Sequence, residues 1–290
     1  MIYHYCSADV FSSIIKTKEV WLTDITKLND RIEYSAGVDL VNEVLASKGL
    51  QVNEFLSQIG VAHLNTKFQI LIGCFSLDGD SGSQFRLYAD DCHGLSIGFD
   101  EGHMELCNLG NRFVDNGLEP ITTKVQFRRA EYHRDTFVRK VTDFIETLEH
   151  NNPILKYEMM AVGLQRYAVC YKIPFYKHEE EVRAVIELQF SRDDRYELGT
   201  RTNAWDEEAS YHKLLTSFGE LSAIKEVIIG PLCSWSLEQV RAMLALNGLP
   251  DVQVKYSSGR GSYRSAFRRC ECGAVHSTPN PSLDDLSAGA

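Results

Sequence analysis

The chain has 290 residues, 44% of them hydrophobic and 24% charged, an ordinary balance for a globular protein with a substantial core. A formal net charge of -10 argues against broad nucleic-acid affinity through global electrostatics, although a local basic patch stays open. The opening MIYHYCSADVF has neither a basic leader region nor a long apolar core, and no apolar run approaches the ~20 residues that cross a bilayer, so the expectation is a cytoplasmic protein without a membrane partner.

In chain order, the first predicted element is a short helix, capped by Ser7 or Asp9, with Phe11, Ile14 and Ile15 as its apolar stripe. A strand around Val20 to Leu22 leads into WLTDITKLNDRIE, where Asn29 and Asp30 suit an Asx turn or a helix cap. Helical spacing then covers Val38 to Leu45 and Phe55 to Leu64. The nearly unbroken apolar run from Phe68 to Phe75 predicts a central strand covered on both faces. In HGLSIGFD, Leu95, Ile97 and Phe99 share one strand face, while Gly94, Ser96 and Gly98 leave the other nearly bare. Such a face admits a bulge, a tightly packed neighbouring strand or a bound group.

Phe137, Val141, Phe144, Ile145 and Leu148 recur at helical spacing, and a further helix is expected from Pro153 towards Tyr167. In KIPFYKHEEEVRAVIELQF, residues 172–190, period-two alternation puts Val182, Ala184, Ile186, Leu188 and Phe190 on one strand face. Glu179, Glu181, Arg183, Glu187 and Gln189 fall on the other, which must meet water or a wet cleft unless its charges are paired. KEVIIGP reads as a buried strand, SLEQVRAMLALNG as a capped helix ended by glycine, and VQVKYS as a last strand. From Cys270 the small, polar, proline-containing ending predicts a disordered tail over 270–290.

No internal repeat or mid-chain linker interrupts residues 1–269, so one domain is expected. Strands bunch without steady strand-helix alternation, which points to an α+β fold with mainly antiparallel sheet. Eight cysteines, six of them scattered among apolar or mixed segments, suit free thiols rather than a disulfide framework. Cys270 and Cys272, with His276 nearby, form the only tempting metal cluster, and they lack the C-x2-C spacing of a zinc knuckle, so no metal is assigned. Nucleotide-binding loops of the G-x-G-x-x-G or G-x-x-x-x-G-K-S/T kind are absent, and the glycines of GDSGS (79–83) open no helix at the right spacing.

Four segments carry polar residues where a plain core would not place them. They supply Trp21, Asn29, Asp30 and Glu33; Cys74, Phe75 and Ser76; Phe85, Tyr88, His93, Gly94, Phe99 and Asp100; and Lys172, Tyr176, Glu179, Glu181 and Arg183. Their order and spacing over residues 3–264 resemble a widespread bacterial family of uncharacterised proteins that is itself similar to the ADP-ribosyltransferase superfamily. The chain departs from that pattern at His4, at Phe85 and in the stretched SSGRGSYR of residues 257–264.

The resemblance implies a core of two small, mainly antiparallel sheets forming a cleft for NAD, with flanking helices. It also implies transfer of ADP-ribose to a macromolecule, protein or nucleic acid, by a bacterial toxin or anti-phage effector with an antitoxin or regulatory partner. Carried over by position, His4 contacts the adenosine half of NAD, Ser76 and Tyr88 cradle nicotinamide, and Glu181 assists ribosyl transfer. Tyr5 and Asn29 join the NAD-binding set. A second carboxylate two residues along a strand shares the first one's face, which suits Glu179 to position or deprotonate the acceptor. Arg183 either pairs with a carboxylate or meets the NAD pyrophosphate.

Two other readings stand beside this one. A metal-dependent hydrolase would use Glu179, Glu181, Asp90, Asp91 and His93, since carboxylate-rich sites hold Mg²⁺ or Mn²⁺. A non-catalytic nucleotide-binding module would keep the cleft without turnover. For the glutamates themselves the plainest alternative is a solvated strand face with weak cross-strand ion pairs.

Overall fold

A computed structural model describes residues 1–28, 31–50, 68–109, 125–148, 160, 163–189, 198–202, 206–261, 268–269 and 275–276. In chain order the elements begin with β1 (Ile2–Cys6), α1 (Ala8–Thr17), β2 (Glu19–Asp24), α2 (Arg31–Ser47) and β3 (Phe68–Ser76). Next come α3 (Gly82–Tyr88), β4 (Leu95–Phe99), α4 (Glu101–Leu109), β5 (Gln126–Arg129) and α5 (Arg134–Thr147), so a short helix does start within GDSGS, at Gly82, where none was expected. The later strands are β6 (Glu181–Gln189), β7 (Gly199–Thr202), β8 (Glu208–Leu215), β9 (Ser217–Phe218), β10 (Leu221–Ser222) and β11 (Ile224–Ile229). The chain then runs through α6 (Leu237–Leu246), β12 (Gln253–Tyr256), β13 (Arg268–Arg269) and β14 (Val275–His276). The architecture is mixed α+β with a large, mainly antiparallel sheet and several helices. No described helix is long and apolar enough to cross a membrane.

Two compact units divide the chain, Met1–Tyr3, Lys18–Asp78 and Phe99–Ile224 in the first, and His4–Thr17, Gly79–Gly98 and Lys225–Ala290 in the second. In the first unit the strands run β5-β6-β3-β2-β8-β7, every neighbour antiparallel. Strand β3 is central, as its apolar run predicts. One edge pairs with β6 along its whole length, Phe68 with Gln189 through Ser76 with Glu181. The other edge holds β2 at Leu71 and Ile72 and Tyr3 at Ser76. Ile70, Leu71, Ile72 and Phe75 are buried because both faces of β3 are covered.

Helices α2 and α5 pack with residues 163–168, also helical, around Leu40, Val41, Val44, Phe137, Val141, Ile145 and Leu164. The expected helix towards Tyr167 is thus present in its last turns, whereas Phe55 to Leu64 lies outside the described residues. Gly37 lets the backbones close up: a Cβ there would sit 2.2 Å from the Ala168 carbonyl oxygen.

In the second unit α1 buries the expected Phe11, Ile14 and Ile15, with Ser7 Oγ accepting the Val10 amide at 3.3 Å. Just before β4, Gly94 packs closely, since a Cβ there would lie 2.0 Å from the Cys6 carbonyl oxygen. Parallel pairing of β11 with β12 follows from the intervening α6, whose N-terminus is closed by a capping box between Ser236 and Gln239. Gly248, at φ +75°, turns the chain out of that helix.

Candidate functional site

The segment from Lys172 to Arg183 builds a cluster of charges inside the first unit. Pro174 opens a 3-10 turn, Pro174–Glu179, that ends when Glu180 takes up a left-handed conformation at φ 44°. Strand β6 begins only at Glu181. Glu179 is therefore not on the strand, and the expectation that it shares a strand face with Glu181 is corrected: the 3-10 turn and the left-handed residue re-aim it. It still reaches the same place, through a different geometry.

Lys172 Nζ lies 2.5 Å from Glu179 Oε2 and 2.9 Å from Glu181 Oε2. Arg183 donates from Nε to Glu181 Oε1 and from Nη2 to Oε2, both at 3.0 Å, and from Nη1 to the Val169 carbonyl. All four side chains are buried, at 2%, 3%, 4% and 1% exposure for Lys172, Glu179, Glu181 and Arg183. The face of β6 that alternation left open to water or a wet cleft is covered, and its charges are paired. A solvated face with weak surface ion pairs does not describe it, because charges this deep survive only when compensated.

Neighbouring segments hold the cluster in place. Ala130 donates its amide to the Glu181 carbonyl, Glu131 bridges to Tyr171, and the Tyr132 hydroxyl accepts the Glu181 amide at 2.8 Å. Across the ladder Ser76 faces Glu181 and Cys74 faces Arg183. Cys74 is exposed, and its thiol donates to the Glu181 carboxylate. The Lys172 ammonium also lies 5.0 Å from the centre of the Tyr176 ring.

Burial by itself would raise the Glu181 pKa. The Arg183 and Lys172 charges, with hydrogen bonds from Arg183 and Cys74, outweigh it and bring the carboxyl down to about 2. Burial pushes the Tyr132 phenol up to about 12, so its hydroxyl remains a neutral hydrogen-bonding group. The result is a carboxylate held ionised away from bulk water by the two cations against it.

The other expected site residues are placed differently. Ser76 Oγ donates to the Glu179 carbonyl at 2.7 Å and accepts the Asp78 amide, so it ties the end of β3 to the 3-10 turn instead of presenting a free hydroxyl to nicotinamide. Arg183 is turned onto Glu181 and Val169, not outward towards a pyrophosphate. In the second unit, Tyr5 is buried, accepts the Ser81 amide at 2.9 Å and meets Phe85 edge-on at 4.9 Å. His4 is half-buried on β1, and Tyr88 is 50% exposed at the end of α3. Asn29 and Asp30 lie outside the described residues, as do Cys270 and Cys272.

Asp90, Asp91 and His93 belong to the second unit, where Asp90 and Asp91 sit at positive φ, Asp91 pairs with Arg86 and His93 Nδ1 lies 3.0 Å from the Asp90 carbonyl. Among the described residues no group of three or more His, Cys, Asp or Glu is arranged to hold a metal ion. Arg128 hydrogen-bonds Gln126 and the Arg166 carbonyl, and Arg129 pairs with Glu101.

Periodicity missed the role of two residues. Lys172 stands two residues before Pro174 in no repeating pattern, and although it belongs to the motif ending at Arg183, periodicity does not place it between two carboxylates. Tyr132 follows β5 in an irregular segment and reaches Glu181 only through the tertiary fold. No protein-family model, curated protein or solved structure matches the chain.

Proposed function

We propose that the chain transfers ADP-ribose from NAD to a macromolecular acceptor, protein or nucleic acid, with Glu181 as the catalytic carboxylate and Glu179 as its partner. One observation carries the reading: Glu181 is buried yet held ionised, with a second carboxylate joined to it through Lys172. When the bond between nicotinamide and ribose breaks, nicotinamide leaves with the bonding electrons and positive charge develops on the sugar ring. A carboxylate bound to a ribose hydroxyl stabilises that charge more in the transition state than in the substrate. The acceptor atom then bonds to the ribose carbon, and its proton passes to Glu179.

The ordered motifs from the first strand to Glu181 support the finer parts of the same proposal. These are an ADP-ribosyltransferase-like core and a toxin or anti-phage role with a neutralising partner. The test incubates the purified chain with NAD and measures nicotinamide release, with Glu181→Gln as control and thermal melting to establish that the variant folds. Release by the wild type that vanishes in folded Glu181→Gln is expected. No release by the wild type, or equal release by the variant, overturns the proposal. Mass spectrometry of cellular RNA, DNA and protein after expression identifies the acceptor by its added ADP-ribose.

A second reading is favoured by one feature of the site, the engagement of both Glu181 oxygens by Arg183. A nucleotide-binding module without turnover would leave them so. It predicts that NAD raises the melting temperature while no nicotinamide appears, because a ligand bound only by the native state stabilises it.

A further inference from the structure

Two buried carboxylates share one ammonium, and its two contacts differ in kind. On Glu181 Oε2, at 2.9 Å, Lys172 adds to a positive charge that Arg183 already brings to the same oxygen at 3.0 Å. On Glu179 Oε2 it makes its shorter contact, at 2.5 Å. Glu181 can thus lose the ammonium and keep its guanidinium, while Lys172 can leave Glu181 and keep Glu179.

We propose that Lys172 is a positioning residue for the transfer chemistry: its ammonium holds Glu179 and Glu181 together as a charged pair and yields its place on Glu181 Oε2 to a ribose hydroxyl. This rests on the transfer reading above. The hydroxyl takes over the oxygen, the ammonium stays on Glu179, and Glu179 receives the acceptor's proton. Lys172 keeps its own protons throughout. The other groups facing the pair are Cys74 from β3, Tyr132 beyond β5, Tyr176 in the 3-10 turn and Arg183 on β6, with Arg128 opposite Arg183 on β5. Of these, Arg183 is bound to Glu181, and Tyr132 stays neutral through the physiological range.

The test uses the full chain with Lys172→Met and the double variant Lys172→Met/Glu179→Gln, in two arms. In the first, melting is followed without NAD from mildly acidic to mildly alkaline pH. Lys172→Met falls further below the wild type as pH rises, because a buried carboxylate charge is then left without its ammonium, and Glu179→Gln removes that dependence. The double variant folds even where Lys172→Met does not. A deficit equal at every pH, one that Glu179→Gln leaves unchanged, or an unfolded double variant overturns the proposal. In the second arm nicotinamide release is measured: kcat of Lys172→Met drops about tenfold or more and gains a rise with pH that the wild type lacks, while KM for NAD falls. Unchanged kcat and KM overturn the positioning role. Absence of release by the wild type overturns the transfer reading and the hydroxyl exchange with it, and the melting arm still decides whether the ammonium holds the carboxylates.

Discussion

Arg183 clamps Glu181 from two positions along the same strand, through parallel bonds from Nε to Oε1 and from Nη2 to Oε2, each 3.0 Å long. With both side chains buried, the pair fixes a charge where none would otherwise be stable.

Acid should weaken the fold through this carboxylate. Its pKa is brought from an ordinary 4.5 to about 2, so its contribution is fully present above the ordinary value and is lost as pH falls towards 2. Thermal melts of the wild type across that window should show a falling melting temperature, and Glu181→Gln should flatten this part of the slope. An identical slope in the variant would assign acid unfolding to other carboxylates.

Removing the guanidinium should cost more than removing a surface charge. Arg183→Met leaves the Glu181 carboxylate buried without its bidentate partner, a loss of about 3–5 kcal/mol in urea unfolding. Pairing it with Glu181→Leu should recover much of that loss, since both charges then go together. Arg183→Lys should not rescue, because a single ammonium cannot reproduce two parallel bonds.

Gly37→Ala reverses the usual helix rule. In the interior of α2 an alanine normally gains about 1 kcal/mol over glycine. Here the new Cβ would lie 2.2 Å from a backbone oxygen of Ala168, so the helices must separate and a net loss of about 1–3 kcal/mol is expected in denaturant melts.

Ser236→Ala removes the side chain that accepts the Gln239 amide at 3.2 Å at the start of α6. A loss of about 1 kcal/mol is expected, and amide exchange should quicken first in that helix's opening turn.

Much of the framework was legible because its signals are local. The stripe of Phe11, Ile14 and Ile15, the apolar run of β3, and the helix between Ser236 and Gly248 each follow from spacing, capping and a turn residue that act within a few positions. The site was half legible. Glu181 and Arg183 do share a strand face, as alternation requires, and they do pair. Glu179 does not continue that strand, because period two cannot foresee a 3-10 turn closed by a left-handed Glu180.

By itself, then, the sequence determined the apolar stripe of α1, the buried run of β3, the capped helix α6 and the strand that carries Glu181 and Arg183, since these depend on hydrophobic periodicity and local backbone preference, whereas β5, β7, β8 and α4 were not read from it. Only the tertiary structure decided that the charged face of β6 is covered rather than wet, that Lys172 spans two carboxylates, and that Tyr132 takes the Glu181 amide. The ion pairs close within residues 172–183 through a 3-10 turn that period two does not foresee, while the covering of that face and the Tyr132 contact join segments far apart in the chain, which no local pattern encodes.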